Sequence, residues 1–437
     1  MRILLVLLFF LALAAFGYWM LNSPPLIQPA SELKAVGKAT AFKFTLDDRS
    51  GLRQVRLWWE QGGKTFPVDE RDLGGARHYQ GEEVLGPSRQ KELQEGAARL
   101  WLEAVDAAWI PKKQVAKWDV NVRPRPPRLS VLSGQHYVNQ GGCEMVVYQV
   151  SNDAVWSGVR VGQHAFAGYP MPGGEAGAHF ALFAFPYDEP AGTIPRVVAR
   201  DEAGNEAVAG FWYKLFPKAF RRRDINLADA FLQKVVPDIL SHTNEIQDQN
   251  DLLKNFLAIN GRLRAINSAA IAALGAKTEK RFLWSETFAQ LGNSQVEAQF
   301  ADHRTYFYQG RQVDQQDHLG FDLATTQHAP VEAANRGRVI FADYLGIYGN
   351  TIVIDHGYGL QTLYGHLNNF KVKPGDMVEK KQIIAESDSS GLAEGDHLHF
   401  SMLLDGQQVA ATEWWDQHWI HDRLLLKFPN QQLPGAM

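Results

Sequence analysis

The hydrophobic pattern opens on an unbroken apolar run and then changes rhythm several times. Ile3 to Leu21 is 19 residues without a charge. As a helix it would be about 28 Å long, close to the hydrocarbon thickness of a bilayer. It has no polar face, which argues against a helix buried in a globular core. Tyr18 and Trp19 stand at its far end, where amphipathic rings favour the membrane interface, and Arg2 supplies the positive charge expected to stay inside. Asn22-Ser23-Pro24-Pro25 stops the run. Residues 1–22 are therefore expected to form a signal anchor, a single transmembrane helix. A cleavable signal peptide cut near Ala12-Leu13-Ala14 is the less favoured reading, because it would strand Phe16 to Leu21 as an apolar terminus.

From residue 30 to 123 apolar and polar positions alternate, as in Val55-Arg56-Leu57-Trp58-Trp59 and Arg99-Leu100-Trp101-Leu102-Glu103. Short strands punctuated by Gly and Pro predict a β-sandwich of the immunoglobulin-like kind. Arg123-Pro124-Arg125-Pro126-Pro127 reads as a connector. Residues 128–217 alternate again and predict a second such sandwich. Over 224–300 the period becomes helical, with Leu253, Phe256, Leu257, Asn260, Leu263 and Ile266 on one stripe. Asn226 is the expected cap and Asp229 lies in the expected first turn. Residues 301–437 return to strand rhythm, as in Arg338-Val339-Ile340-Phe341 and Thr351-Ile352-Val353-Ile354, and predict a mainly antiparallel β domain. The expected fold class is thus multidomain: an N-terminal transmembrane helix, two immunoglobulin-like β-sandwich domains, a helical segment and a C-terminal β domain.

Composition narrows the function. At 437 residues the chain exceeds one ordinary core. A net charge of −4 excludes the basic excess of a nucleic-acid binder. The single cysteine, Cys143, forms no disulfide within the chain and is expected to be a small core residue. An exported chain of this size without disulfides fits a bacterial envelope protein. The expected location is the inner membrane, with the bulk of the chain in the periplasm or otherwise outside the cytoplasm.

Nine of the fourteen histidines fall in residues 301–437, in three notable patterns: His318-Leu319-Gly320-Phe321-Asp322, Tyr364-Gly365-His366-Leu367 and His397-Leu398-His399-Phe400. A catalytic zinc takes three nitrogen or oxygen ligands and keeps one position open. His318, Asp322 and His399 would supply two imidazoles and a carboxylate. In a strand His397 and His399 point to one side and Leu398 and Phe400 to the other. One histidine can then bind metal while its neighbour moves protons, since imidazole titrates near neutrality. His303, His328, His356, His418 and His421 read as surface or packing residues.

These motifs, in this order, resemble the lysostaphin-type (LytM-like) zinc metallopeptidases, which act on peptidoglycan. Ala329-Pro330-Val331, Gly337-Arg338-Val339, Asn350-Thr351-Ile352-Val353-Ile354-Asp355-His356-Gly357 and Val372-Lys373-Pro374-Gly375-Asp376 also match. The resemblance implies Zn2+ held by His318, Asp322 and His399, with His366 and His397 as catalytic histidines whose division of labour stays open. It implies a peptidoglycan substrate, its peptide stems and cross-bridges, and admits a protein regulator or other envelope proteins as partners. The departures are Asp388-Ser389-Ser390-Gly391 and Gly395-Asp396 ahead of the last motif. Asp396 either raises the pKa of a nearby histidine or, as preferred, is a solvated turn residue. The competing function is a non-catalytic adaptor of the same fold that activates another wall hydrolase. The complete residue set favours the enzyme.

Overall fold

The computed structural model describes residue 17 and residues 22–431. The anchor expected over 1–22 therefore lies, but for Gly17 and Asn22, outside the described residues. Among these, no helix is long and apolar enough to cross a membrane. The chain is mostly β and divides into two compact units. The first holds residues up to Arg128 with Ser151–Val155 and Ala199–Ala207; the second holds Leu129–Val150, Trp156–Val198 and the chain from Val208 onward.

In the first unit the hydrogen bonding differs from a sandwich of two separate sheets. Six strands join in one sheet built on the long hairpin Thr40–Gln61 and Lys64–Leu85. The pairing of the hairpin shifts between Asp47 and Leu52, and Gly51 there takes φ +87°. Such an irregularity bends a strand. The two halves of Thr40–Gln61 then contribute to one core: Phe42, Phe44 and Leu46 with Val55, Leu57 and Trp59, joined by Leu100 and Leu102. Alternation explains the choice, because Leu57 pairs with Leu102 and Trp59 with Leu100 while Arg56 and Glu60 face outward.

The second unit begins with antiparallel strands Leu129–Val131, Cys143–Val150, Ala178–Ala184 and His164–Pro170, paired in that order. A separate parallel pair joins Tyr137–Asn139 to Lys214–Phe216. Cys143 is buried in the core. This β region does not stand apart from the C-terminal domain. Phe180 packs against Phe282, Tyr358 and Phe428. Glu144, itself buried, pairs with Lys427 at 2.6 Å.

The helical segment also departs from expectation. Asn226 lies in a strand, Arg222–Leu227, which pairs in parallel with Asp302–Tyr308. The first helix is Asp229–Ser241, capped at Ala228, with Asp229 in its first turn as expected. A second helical stretch runs from Leu252–Ala258 through the wider turn Ile259–Leu263 to Arg264–Leu274. Helix ends there, because Gly275 and the residues after it turn away. Gln295–Ala298 is already a strand of the C-terminal sheet. The helices share one core with that sheet: Val235, Val236, Phe256, Ile259, Leu263 and Ile271 pack with Tyr348, Val353, Leu363 and Leu403. Their apolar stripe is buried on the sheet rather than in a domain of its own.

The C-terminal sheet has eight strands. Its centre orders Phe321–Ala324, Leu398–Leu404, Leu360–Gly365, Asn350–Gly357 and Gly337–Tyr344, all antiparallel. Leu398–Leu404 is buried at every position, the pattern of a strand covered on both faces. Phe400 faces Tyr364 and Trp415. Leu403 faces the helices. By alternation His399 and Ser401 share the side of Leu403, which places the helical segment beside them.

Candidate metal centre

Three register relationships assemble the site. His318 ends the strand Arg311–His318, opposite Asp302. Four residues on, Asp322 lies on Phe321–Ala324, directly across from His399 on Leu398–Leu404. On its other flank His399 pairs with Gly365, the residue before His366. His366 takes a left-handed φ of +58°. That conformation is costly for a non-glycine residue and persists only where the surroundings impose it. Here His366 N donates to Tyr348 O at 2.7 Å and His366 O accepts from Asp388 N at 2.9 Å.

His318 Nε2, His399 Nδ1 and Asp322 Oδ1 form a triangle. Its edges are 2.9 Å from His318 to Asp322, 3.0 Å from His399 to Asp322 and 3.0 Å between the imidazoles. The outer contacts fix which nitrogens carry hydrogen. His318 Nδ1 donates to Gln299 O at 3.0 Å. Ser401 Oγ donates to Leu319 O at 2.8 Å, so it accepts from His399 Nε2 at 3.0 Å. With both imidazoles neutral, two lone pairs and a carboxylate oxygen converge there, a donor set that suits a cation. Zinc bonded at about 2.0–2.1 Å in tetrahedral geometry sets ligand atoms about 3.3 Å apart, so the residues present fit it with a few tenths of an ångström of expansion.

Asp322 Oδ2 accepts from Arg304 Nη2 at 2.9 Å, which leaves Oδ1 aimed at the histidines. Burial opposes the charge on Asp322. The His318 contact, followed by those of His397 and His399, outweighs it and holds the carboxyl well below its ordinary range. Burial pushes His399 down to about 4 and lowers His318. Both shifts favour the neutral imidazole, the form in which histidine binds metal.

The other two expected residues lie in the same cleft. His366 and His397 have ring centroids 4.7 Å apart, and His366 is 5.9 Å from His399. His397 sits one residue ahead of its strand, with Nε2 3.5 Å from Asp322 Oδ1. His366 Nδ1 donates to Ser390 O at 2.7 Å and His397 Nδ1 to Gly395 O at 2.9 Å. Burial, then the neighbouring His397 and His399, drives His366 well down. For His397 burial is outweighed by Asp322, and its pKa is raised. Asp396 does not do this. Its carboxylate accepts from His328 N and Ser387 Oγ; it is a turn residue as preferred from sequence, but with a side chain 14% exposed it is not a solvated one. His356 is fully buried between Arg336 O and Thr362 Oγ1.

Sequence reasoning missed Arg304, Ser401 and Gly320. Ser401 was accessible, since it stands two residues beyond His399 on the same strand face. A Cβ on Gly320 would come within 2.5 Å of the His399 ring and 2.7 Å of Ser401 Oγ, so the glycine inside the first motif makes room for that hydrogen bond. Arg304 had no local signal. The cleft encloses about 400 Å3. Helical residues Phe231, Phe256 and Arg264 form one wall with Arg223, Arg304 and Tyr306.

Residues 316–411 match the family described as Peptidase family M23. The "DD-carboxypeptidase/endopeptidase Mpg" of Neisseria meningitidis is 38% identical over 92 residues, 21% of this chain and 21% of that protein. The "Peptidoglycan DD-endopeptidase ShyB" of Vibrio cholerae is 36% identical over 119 residues, 27% of each. The "Murein hydrolase activator EnvC" of Escherichia coli is 36% identical over 95 residues, 22% of this chain and 23% of that protein. The match thus spans between 21% and 27% of the length of these relatives. His318, Asp322, His366, His397 and His399 all fall inside the matched stretch, and the C-terminal part of the chain is a peptidase M23 domain of the LytM/lysostaphin type.

Proposed function

We propose that this chain is a membrane-anchored, zinc-dependent metalloendopeptidase that hydrolyses peptide cross-links of bacterial peptidoglycan. Residues 1–22 would hold it in the inner membrane with the bulk of the chain in the periplasm. One observation carries the reading: the side-chain atoms of His318, Asp322 and His399 meet within 3.0 Å, with two further histidines in the same cleft. Bound there, zinc would polarise the scissile carbonyl and acidify a water molecule.

The residues do the rest. Gln299 O and Ser401 hold the two imidazole ligands in the tautomers that face inward, and Arg304 orients Asp322. His366, kept neutral by burial, has Nε2 available to take a proton from the attacking water. His397, beside Asp322, is the histidine that more readily holds a proton, and it would pass one to the leaving amine. No glutamate base of the HExxH kind occurs in the sequence, so the histidines fill that role. Arg223 and Arg264 on the cleft wall suit the carboxylates of stem peptides.

The test is digestion of purified sacculi by the zinc-loaded chain, followed by chromatography and mass spectrometry of the muropeptides. Loss of cross-linked dimers supports the reading; unchanged cross-linking sinks it. The adaptor reading has the likeness to an activator of murein hydrolases in its favour. The complete ligand and histidine set weighs against it.

A further inference from the structure

Asn22, the first residue after the apolar run, is fastened to two loops of the first β region. Its amide donates to Asp106 Oδ2 at 2.6 Å, its Oδ1 accepts from Ser50 Oγ at 3.1 Å, and its carbonyl accepts from Lys112 Nζ at 2.6 Å. Asp106 is buried and closes the base of the loop that follows it. Its Oδ1 accepts from Ala108 N at 3.2 Å and Lys112 N at 3.0 Å, while Ala107 N donates to Gly51 O at 2.8 Å. At the tip stands Trp109, 76% exposed, the greatest exposure among the described large hydrophobic residues. Ile110 and Pro111 follow it.

A large indole in water on a loop pinned at its base calls for a partner. Trp109 stands three positions from either clamp, Asp106 or Lys112, so its Cα lies within about 11 Å of both. The polar layer on each side of the hydrocarbon core is roughly 5–8 Å deep. With the anchor ending just ahead of Asn22, this loop comes within reach of the membrane surface.

We propose that Trp109 inserts at the headgroup boundary of the bilayer beside the exit of the anchor, giving the first β region a second point of membrane attachment. This rests on the anchor proposed above. Indole favours that layer, with an apolar body and a polar N–H. Exposed Arg49, next to Ser50, brings a cation to the same end for anionic headgroups, whereas Lys113 is paired with Glu103 at 2.9 Å. The second contact would fix the tilt of the unit, where a lone helix leaves it free to swing.

The test uses the full chain in phosphatidylethanolamine–phosphatidylglycerol vesicles. Trp109→Cys is labelled with an environment-sensitive fluorophore, and Lys64→Cys is labelled separately. Lys64 follows the far end of the strand Thr40–Gln61, roughly 33 Å from Gly51 at about 3.3 Å per residue. Cys143 is the sole native cysteine and is buried, so labelling is selective. A blue shift at 109 and loss of emission to headgroup-spin-labelled lipid, both absent at 64, is the expected result. A chain that floats with the vesicles while the label at 109 reports water overturns the inference and leaves the anchor standing. A chain that does not float overturns both.

Discussion

Asp322 and His399 face each other across two antiparallel strands, and their Oδ1 and Nδ1 meet at 3.0 Å. With His399 Nε2 committed to Ser401, the neutral imidazole turns a lone pair toward the carboxylate, the arrangement a bound cation would use. The proposed roles divide the site into residues that would hold metal and residues that would use it.

His399→Ala or Asp322→Ala removes one corner of the triangle. The variants are expected to lose both bound zinc and activity. His366→Ala and His397→Ala leave the triangle whole, so they should retain metal while turnover falls about 10²–10⁴-fold, the usual worth of a positioned acid or base. Metal analysis alongside digestion assays separates the two classes. Loss of zinc in either of the latter variants would contradict the assignment.

Ser401→Ala removes the group that fixes the tautomer of His399. Such partners are worth about 10–100-fold in metal affinity, and competition with a zinc chelator should show a loss in that range. Gly320→Ala should be more severe, because the added methyl meets the imidazole at 2.5 Å and the ring cannot stay on Ser401. Unchanged zinc affinity in Gly320→Ala would mean that the ring has room to move.

Phe256 is fully buried where the helical segment meets the C-terminal sheet, beside Tyr306. Phe256→Ala should destabilise that unit by about 3–5 kcal/mol, seen as a lower midpoint in denaturant unfolding. A fragment starting at residue 301 would expose Val353, Leu363 and Leu403 to water and is expected to aggregate rather than to act as a free enzyme.

Glu413 lies buried against the second β region, accepting from Asn139 Nδ2 at 2.8 Å and Cys143 N at 2.7 Å. Burial raises its pKa from the ordinary 4.5 to about 7, with the Asn139 and Cys143 hydrogen bonds opposing only in part. The folded chain therefore holds this proton more tightly than the unfolded one. Its contribution to stability is complete below pH 4.5 and is lost as pH rises through 7, an effect on the order of 3 kcal/mol. Burial lowers His136 and His356 to about 4; their contribution runs the other way, being present above 6.5 and lost as pH falls through 4. Comparison with Glu413→Gln isolates the carboxyl. Thermal midpoints should nearly coincide at pH 5, and the variant should be the more stable at pH 8. A gap independent of pH would overturn the argument.

The sequence by itself determined which residues meet in the cleft and the β character of the chain. Both show in local patterns. HLGFD sets His318 and Asp322 four residues apart, HLH sets two imidazoles two residues apart at the start of a strand, and alternation marks strands wherever one face is buried. Ser401 was legible by the same two-residue rule. Tertiary structure decided the rest. The Asp322–His399 pairing joins residues 77 apart in the chain, and sheet register alone brings them together. Arg304 reaches Asp322 from another strand pair and leaves no mark in the motif. Asn226 reads as a helix cap, yet it is taken into a strand because Asp302–Tyr308 offers it a backbone ladder. The helical stripe announces that it must be buried but not against what. Packing on the sheet gave it a partner and made it a wall of the metal cleft, because burial is non-directional and the apolar surface of Val353, Leu363 and Leu403 was there to cover.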